Sequence, residues 1–509
     1  MKSTTLTGED AVKLIESQLA QHAGGVLEVL ARFEPDATAR SWFETIRAIE
    51  EIINLPGEID DEVLASALFH LNLEPREFKP RRVKFILHYL GYYYGAAFAE
   101  RQALLLLQLS RMQNSFAMAG HIPAAIGLST VAHAVGYLQS RRRHLMSLLY
   151  IIPQACRGTV RMPHPDALAW MLPQAEISGT TITGLLQQRA MSELHDDDFK
   201  LYVEPYGFTA SHNYHALDDM SLEAERVPII DVASDTASVE YEPVPSDRVF
   251  SAAELRNDIA LMEAAFAEFK LDDTAFAGLA SVVRDLSWQI EDDFWVTISP
   301  QDLDALADKH GVSHPHRRLL TASSATFVDA LNCHAAFVPF EGALRGSVRS
   351  LSRFLYNFKN VCLYSKRRFQ IRSGFIFEQR IKDELAKQGF VVQPVKRIER
   401  KEFDVVATRG GIIFNIQCKN NLIDPSWIDL DPARFIRANR TLERYYERAI
   451  IKERSREELL KNHLGMDRVE PFVITRFPIV TGNSRISSLS RIREFATKAD
   501  TILNANPAA

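Results

Sequence analysis

The chain has few cysteines, and none of them has the spacing that a cysteine-based site requires. Its 509 residues include only Cys156, Cys333, Cys362 and Cys418, with no CxxC motif among them. Neither a zinc ribbon nor a disulfide framework is indicated. The first residues, MKSTTLTGED, lack the apolar core of a signal peptide. We therefore expect a reducing, cytoplasmic setting.

Long apolar runs and a nucleotide-binding motif are also missing. The two most apolar stretches, FILHYLGYYYGAAFA and HIPAAIGLSTVAHAVGYLQ, are short or carry polar groups, so we expect buried helices rather than membrane spans. No GxxxxGK[ST] sequence occurs, which argues against a built-in P-loop motor. We expect no membrane partner, and no nucleotide cofactor is evident.

Net charge is small, but its distribution along the chain is uneven. The 59 Lys and Arg against 65 Asp and Glu give −6 overall. Residues 359–468 hold 24 basic and 15 acidic residues, whereas the remainder holds 35 and 50. A basic module attached to an acidic body is typical of a protein that holds DNA at one place through phosphate contacts.

The length predicts two or three domains. Successive amphipathic patterns predict a helical domain over residues 1–194 and a second helical region over 251–358. Between them, residues 195–250 are polar, acidic and proline-containing, which indicates a linker or an extended segment. Residues 359–509 mix strand and helix patterns. The expected fold class is therefore α plus α/β, with a mixed central sheet in the C-terminal domain.

A hairpin is the clearest local signal in the C-terminal part. The stretch EFDVVATRGGIIFNIQCKNN has two β-branched, apolar runs around Gly410-Gly411, which suits a two-residue type I′ turn. That turn places Val405 opposite Ile416 and Asp404 opposite Gln417. Asn415, Gln417 and Lys419 then share one face of the sheet, and Phe414, Ile416 and Cys418 share the other.

An acid, an amide and an amine therefore converge on one patch. Mg²⁺ takes oxygen ligands, so Asp404, the Gln417 amide oxygen and the Cys418 backbone carbonyl are candidate metal ligands. Lys419 could orient a water or stabilise charge on a phosphate. The alternative is a half-buried hairpin with an Asp–Lys ion pair, which requires no Gln opposite the acid.

The flanking sequence continues the pattern. Upstream, Ser373 can cap a helix with Phe377, Ile381 and Leu385 as its apolar stripe, Gly389 at its end and Glu378 at the edge of the buried face. A strand over residues 390–395 precedes the hairpin. A long charged helix, a strand (EPFVITRFPIV) and a closing helix (SSLSRIREFATKAD) follow, so the predicted order is α-β-β-β-α-β-α.

Residues 373–480 resemble the PD-(D/E)xK nuclease superfamily, most closely its Mrr-like restriction endonuclease branch. The resemblance rests on GFIFEQ around Glu378, FDVVA around Asp404, and NIQCK around Gln417 and Lys419. It implies a restriction-endonuclease-like domain over residues 359–509, with Asp404, Gln417, Lys419 and Glu378 in catalysis and Glu378 as an auxiliary metal ligand. Gln417 departs from the commoner Glu, and Phe403 stands where a proline is usual.

The function implied is Mg²⁺-dependent hydrolysis of DNA phosphodiester bonds, with Mn²⁺ as a substitute, in restriction, phage defence or DNA repair. Because one such site cuts one strand, a homodimer is a further expectation. The alternative is an inactive nuclease-fold module that binds nucleic acid or a partner on a helical scaffold. Basic residues predicted to contact DNA occur in two segments, although a solvated helix face is an alternative for the second: Lys366, Arg367 and Arg368, and Arg437, Arg440 and Arg444.

Overall fold

The structure is a computed structural model that describes residues 4–55, 59–74, 76–119, 128–195, 198–205, 207–211, 239–322, 324, 326–421, 431–477 and 479–505. Its α-helices are α1 (Gly8–Leu30), α2 (Pro35–Asn54), α3 (Glu62–Phe69), α4 (Pro80–Tyr94), α5 (Ala96–Ala119), α6 (Val131–Ser140), α7 (Arg142–Ala155), α8 (Ala167–Glu176), α9 (Thr183–Leu194), α10 (Ala252–Ala265), α11 (Ala275–Ser287), α12 (Pro300–Lys309), α13 (His314–Arg317), α14 (Phe327–Leu331), α15 (Val348–Tyr364), α16 (Arg367–Lys387), α17 (Pro432–Arg454), α18 (Glu457–Leu464) and α19 (Phe495–Ala505). None of the helices in these ranges combines the length and the apolar character needed to cross a bilayer.

The strands form four sheets among the described residues. They are β1 (Thr4–Thr7), β2 (Lys200–Glu204), β3 (Gly207–Ala210), β4 (Trp295–Ile298), β5 (Phe337–Phe340), β6 (Ala343–Ser347), β7 (Val391–Gln393), β8 (Arg397–Ile398), β9 (Lys401–Glu402), β10 (Val405–Arg409), β11 (Ile412–Lys419), β12 (Arg468–Thr475) and β13 (Ile486–Ser488). The sheet orders are β1-β2-β3, β4-β6-β5, β8-β9 and β13-β12-β11-β10-β7.

The chain divides into two compact units that are discontinuous in sequence. One unit combines residues 1–17, 185–233 and 363–509, and the other combines residues 18–184 and 234–362. The sequence instead predicts consecutive regions with boundaries at residues 194, 250 and 358. The difference arises because β1, at the start of the chain, pairs with β2 about 200 residues later, a long-range contact that local patterns do not reveal.

Both regions predicted to be helical also contain strands, since β1 lies within residues 1–194. The region 251–358 is not purely helical, because β4, β5 and β6 form an antiparallel sheet in it. Glu341 and Gly342 both have positive φ at the β5–β6 turn. Since only the second of these positions is a glycine, the sequence lacks the double-glycine pattern that would predict this turn. Within the segment 195–250, β2 and β3 form a hairpin, and residues 212–238 lie outside the described residues.

The C-terminal sheet is mixed, as predicted. Strand β11 pairs antiparallel with β10 and parallel with β12, while β12 pairs parallel with β13 and β10 antiparallel with β7. Apolar residues of both faces are covered. Helices α16 and α19 pack on the face that carries Phe414 and Ile416, and α17 and α18 pack on the face that carries Ile413 and Val473. The predicted strand over residues 390–395 is confirmed in shorter form as β7.

Helix α16 begins earlier than the sequence predicts, so Ser373 is not its cap. The buried stripe has a strict spacing of four and includes Phe369 and Ser373 as well as Phe377, Ile381 and Leu385. Burial of Phe369 extends the helix back to Arg367, and Ser373 Oγ donates a hydrogen bond to the Gln370 carbonyl inside it. The predicted end at Gly389 is confirmed, since this residue has a φ of 82°.

The long charged helix predicted after the hairpin is two helices, α17 and α18, separated at Ser455 and Arg456. The closing helix is also shorter than predicted, because residues 489–494 form a 3₁₀ turn before α19. The predicted order of elements otherwise holds, with the two-residue strands β8 and β9 and the three-residue strand β13 as additions. Strand β13 includes Ser487 and Ser488, which were predicted to begin the closing helix.

Candidate active site

The hairpin has the predicted register. Gly410 and Gly411 have φ values of 59° and 77°, as a type I′ turn requires. Val405 faces Ile416 and Arg409 faces Ile412. Pairing ends one residue short of Asp404, which directly precedes β10. The faces also alternate as predicted: Phe414, Ile416 and Cys418 contact the core under α16.

Asp404 is fixed at the end of the strand by a backbone contact. Its Oδ2 accepts a hydrogen bond of 2.8 Å from the Cys418 backbone N–H. Burial raises the pKa of Asp404, while this hydrogen bond and the charge of Lys419 act in the opposite direction. One carboxylate oxygen is thus held by the neighbouring strand at the place where Lys419 follows.

Glu378 brings a second carboxylate to the same place from α16. Burial raises its pKa to about 7, and the charge of Asp404 adds to the effect, while Lys382 and Lys396 oppose it. Burial also raises the pKa of the Cys418 thiol, with both carboxylates contributing. Asp404 and Glu378 therefore lie close enough to repel each other beside Cys418. Two half-buried carboxylates in this position would gain from a cation between them.

Lys419 and Gln417 contact each other. Lys419 Nζ donates to Gln417 Oε1 at 3.1 Å and lies 5.4 Å from the centre of the Tyr445 ring on α17. The amide oxygen that is a predicted metal ligand thus already accepts the lysine's hydrogen bond. A cation–π contact with the Tyr445 ring also orients the Lys419 ammonium, in addition to the hydrogen bond to Gln417. The tyrosine ring is itself half exposed.

A hydrogen-bond chain holds the end of β11 against α16. Asn420 Nδ2 donates to Ser373 Oγ at 2.9 Å, and Arg476 Nη1 donates to Asn420 Oδ1 at 3.2 Å. The Arg476 backbone N–H donates to the Lys419 carbonyl at 2.9 Å. Lys419 therefore sits on a strand end that is tied to a helix on one side and to the next strand on the other.

Two basic helix segments extend past this same edge of the sheet. Since Asn420 contacts Ser373, the turn with Arg367 and Arg368 lies about 9 Å further along α16. On α17, Glu453 contacts Asn415 while Tyr445 contacts Lys419, so this helix runs antiparallel to β11. Residues before Tyr445 consequently also project beyond the strand end.

The candidate DNA-contact residues occupy these segments. Lys366 is the N-cap of α16, and Arg367 and Arg368 are exposed in its first turn. The arginines of α17 are exposed as well. Arg440 Nη2 donates a hydrogen bond to the Glu193 carbonyl at 2.6 Å. The fold thus gathers two sets of basic residues that are about 70 positions apart in sequence. Their contact with DNA stays a prediction.

The donor atoms at this edge suit a hard cation. Mg²⁺ often binds one or two carboxylates and retains several waters, which matches Asp404 and Glu378. Among the described ranges, no three His, Cys, Asp or Glu side chains are arranged to hold a metal ion by themselves. Asp404 and Glu378, with Gln417 or the Cys418 carbonyl, would hold Mg²⁺ or Mn²⁺ together with several waters.

Two residues at this edge escaped the sequence interpretation. Arg476 directly follows β12, and because β11 and β12 are parallel and in register, it lies at the same edge as Lys419. That rule for parallel strands could have found it. Tyr445 had no comparable signal, since only the packed helix shows which of Tyr445 and Tyr446 is buried.

Comparison of the chain with family models, with curated proteins and with solved structures returned no match.

Proposed function

We propose that the protein is a metal-dependent endonuclease that hydrolyses DNA phosphodiester bonds, with a role in restriction, phage defence or DNA repair. The observation that carries the proposal is that the Glu378 and Asp404 carboxylates interact electrostatically at the strand end that carries Lys419. Exposed basic segments of α16 and α17 flank this strand end. The resemblance of residues 373–480 to the Mrr-like branch of the PD-(D/E)xK superfamily supports the same assignment.

We assign the residues the following roles. Mg²⁺ or Mn²⁺ bound at the carboxylates would stabilise charge on the phosphate and lower the pKa of an attacking water. Asp404 presents its second oxygen to this position, because the Cys418 N–H holds the first. Lys419 would donate a hydrogen bond to a phosphate oxygen as negative charge develops on it. The exposed arginines would hold neighbouring phosphates and align the scissile bond.

The reaction would add water to phosphorus and break its bond to one sugar oxygen, which leaves with a proton. Removing Lys419 should then lower the cleavage rate by about 100-fold or more, as loss of a single charge-stabilising donor typically does. The test incubates the purified full chain with supercoiled, linear and single-stranded DNA in Mg²⁺ or Mn²⁺. Wild type is compared with Lys419→Ala.

Lys401→Ala is the matched control, because this lysine is exposed on β9 outside the proposed site. Thermal unfolding shows whether each variant remains folded. We expect Lys401→Ala to cut as wild type does and Lys419→Ala to retain its fold without cutting. Equal cleavage by wild type and Lys419→Ala would refute the assignment.

One contact favours a second candidate, a nuclease-fold module that binds nucleic acid or a partner without cutting. Gln417 is neutral and accepts a hydrogen bond from Lys419, so it attracts a cation less than a carboxylate would. This candidate predicts that Mg²⁺ neither binds measurably nor changes the thermal stability of the protein. A clear rise in melting temperature on adding Mg²⁺, lost in Asp404→Asn, would exclude it.

A further inference from the structure

Helix α4 exposes aromatic side chains that the sequence predicts to be buried. The stretch FILHYLGYYYG lies mostly in this helix, yet only Val83, Ile86 and Leu90 of α4 are buried. Tyr92 is 79% exposed and Tyr93 is 40% exposed. Phe85 and Tyr89 are also exposed. Monomeric proteins seldom leave this many large rings on one surface element without a binding role.

The exposed residues share one side of the helix. At 100° per residue, Arg81, Phe85, His88 and Tyr92 fall within about 60° of each other, and Arg82 and Tyr89 lie beside them. The buried residues fall on the opposite side. Helix α4 therefore presents a surface, here called the α4 face, made of Arg81, Arg82, Lys84, Phe85, His88, Tyr89 and Tyr92, all of which are exposed.

The charges of the α4 face have one sign. The helix sequence PRRVKFILHYLGYYY contains two arginines and one lysine but no acid, and Lys79 precedes it as an N-cap without a side-chain cap hydrogen bond. Basic residues in a first helical turn oppose the helix dipole, so they lower helix stability there. The same arrangement attracts a polyanion, because side-chain charge and dipole act together. Acidic Glu74 and Glu77 lie before the helix and are exposed.

The rings are grouped as neighbours along the helix. The Phe85 and Tyr89 ring centres are 4.7 Å apart, the His88 and Tyr89 centres 5.7 Å, and the Tyr92 and Tyr93 centres 5.2 Å. Aromatic side chains at successive helical turns offer flat surfaces on which nucleic-acid bases stack, with little dependence on base identity. The opposite end of the same face supplies cations for the phosphates.

We propose that the α4 face binds a single-stranded nucleic acid, with Arg81, Arg82 and Lys84 contacting phosphates and Phe85, Tyr89 and Tyr92 stacking on bases. This surface belongs to the unit formed by residues 18–184 and 234–362. The proposed nuclease site belongs to the other unit, and the inference does not depend on that function.

The opposite end of α4 does not provide a phosphate site. A cavity of about 770 Å³ adjoins Tyr92 and Tyr93. Its arginines are matched by carboxylates: Arg47 pairs with Asp292, and Arg248 pairs with Asp293. Tyr93 donates a hydrogen bond to Asp61 at 3.3 Å. Phosphates are thus favoured at the Arg81 end of the face, and uncharged bases at the Tyr92 end.

A lipid surface is the competing partner for a basic, aromatic helix. Interfacial helices insert a broad apolar side rich in Leu, Phe or Trp. Of the aliphatic residues in α4, Val83, Ile86 and Leu90 are buried against the protein and Leu87 is partly buried. The exposed rings include tyrosines with polar hydroxyl groups. Exposed tyrosines among arginines favour stacking on bases over insertion into lipid.

The test measures binding of a fluorescein-labelled 20-mer of deoxythymidine to the full chain by anisotropy in EDTA, over a range of salt concentrations. A parallel arm uses the uridine RNA 20-mer. Tyr89→Ala/Tyr92→Ala should weaken binding about 25-fold, from about fivefold per stacked base. Arg81→Ala/Arg82→Ala should reduce the slope of log affinity against log salt by about 1.4, from about 0.7 for each lost phosphate contact.

Controls separate this surface from others. Tyr241→Ala removes an exposed ring elsewhere in the same unit, and Arg157→Ala/Arg161→Ala removes two exposed arginines there. Both should leave binding and its salt slope unchanged. Repeating the series with Arg437, Arg440 and Arg444 changed to alanine keeps contacts of α17 from masking the loss.

Unchanged affinity of the α4 variants in both backgrounds overturns the proposal, as does failure of the wild type to bind either oligonucleotide. Binding to anionic phosphatidylserine vesicles that the α4 variants lose, while oligonucleotide binding persists, also overturns it and identifies a lipid surface. The exposed rings contribute little to packing, so these variants should fold, and circular dichroism checks this. Loss of cleavage in Lys419→Ala leaves this test unaffected.

Discussion

Replacing Glu378 by glutamine should make the metal-free protein more stable at pH 8 and less able to bind Mg²⁺. Burial and the charge of Asp404 raise the pKa of Glu378 from 4.5 to about 7. A raised carboxyl pKa means that the stability contributed by this group is fully present below pH 4.5 and is lost as the pH rises through about 7. Glutamine does not ionise, so the variant avoids this loss.

The size of the effect can be worked out from the pKa. A rise from 4.5 to about 7 corresponds to at most about 3.4 kcal/mol. Because the side chain is only half buried, solvent screens the charge, and we expect about 1 to 2 kcal/mol in favour of Glu378→Gln at pH 8. Near pH 4 the two proteins should be nearly equal.

The assay is a urea titration of wild type and variant at pH 5 and pH 8 in EDTA. A chain of this size does not unfold in one step. Hydrogen–deuterium exchange of peptides from β10 and β11 therefore measures the unfolding of the C-terminal sheet separately. Glu384→Gln on the same helix is the control. Lys387 lowers the pKa of Glu384, so neutralising it should leave stability at pH 8 unchanged or slightly reduced.

The second half of the prediction is that Glu378→Gln binds Mg²⁺ less tightly than wild type. At a concentration ten times its Kd, Mg²⁺ should stabilise wild type by about 1.4 kcal/mol, and Glu378→Gln clearly less at the same concentration. If Glu378→Gln is no more stable than wild type at pH 8 without metal, burial and the charge of Asp404 do not disfavour the ionised form of Glu378, and the reasoning fails.

Two further changes test the surroundings of the site. Gln417→Glu adds a third carboxylate beside Asp404 and should tighten Mg²⁺ binding about tenfold, as measured by calorimetry. Gln417→Ala is the control and should not tighten binding. Weaker Mg²⁺ binding by Gln417→Glu would contradict the assignment of residue 417 as a metal ligand. Glu453→Ala should cost about 2 to 4 kcal/mol in the same urea assay, because it leaves buried Asn415 and Arg456 without their shared partner. Glu453→Gln can keep a hydrogen bond to Asn415 and should cost less, whereas equal losses would show that the contact contributes little.

The hairpin at the site was predictable because its determinants are local. Gly410-Gly411 specifies a turn with positive φ at both positions, and the period of two assigns each side chain to a face. Register and facing pairs then follow without knowledge of the rest of the chain. The boundary at the end of α16 was predictable for a similar reason, since Gly389 takes a conformation that other residues disfavour.

The start of α16 was not predictable from caps. Ser373 has the right chemistry for a cap, but burial of Phe369 against the protein extends the helix by seven residues. Tertiary packing thus overrides a local signal. The exposed rings of α4 show the converse. Their apolar character predicts burial, but only the packing of Val83, Ile86 and Leu90 decides which side of that helix is covered.

By itself, the sequence determined the strand–turn–strand element with Asp404, Gln417 and Lys419, because turn chemistry and side-chain alternation act over a few residues. The family resemblance already implied Glu378, and the packing of α16 brings its carboxylate near Asp404. Only the tertiary structure decided that Tyr445 and Arg476 lie at the same edge, and that the first residues of the chain form a unit with the last 147. These arrangements depend on contacts between segments far apart in the chain. Such contacts are selected by the burial of whole faces, which no short pattern specifies.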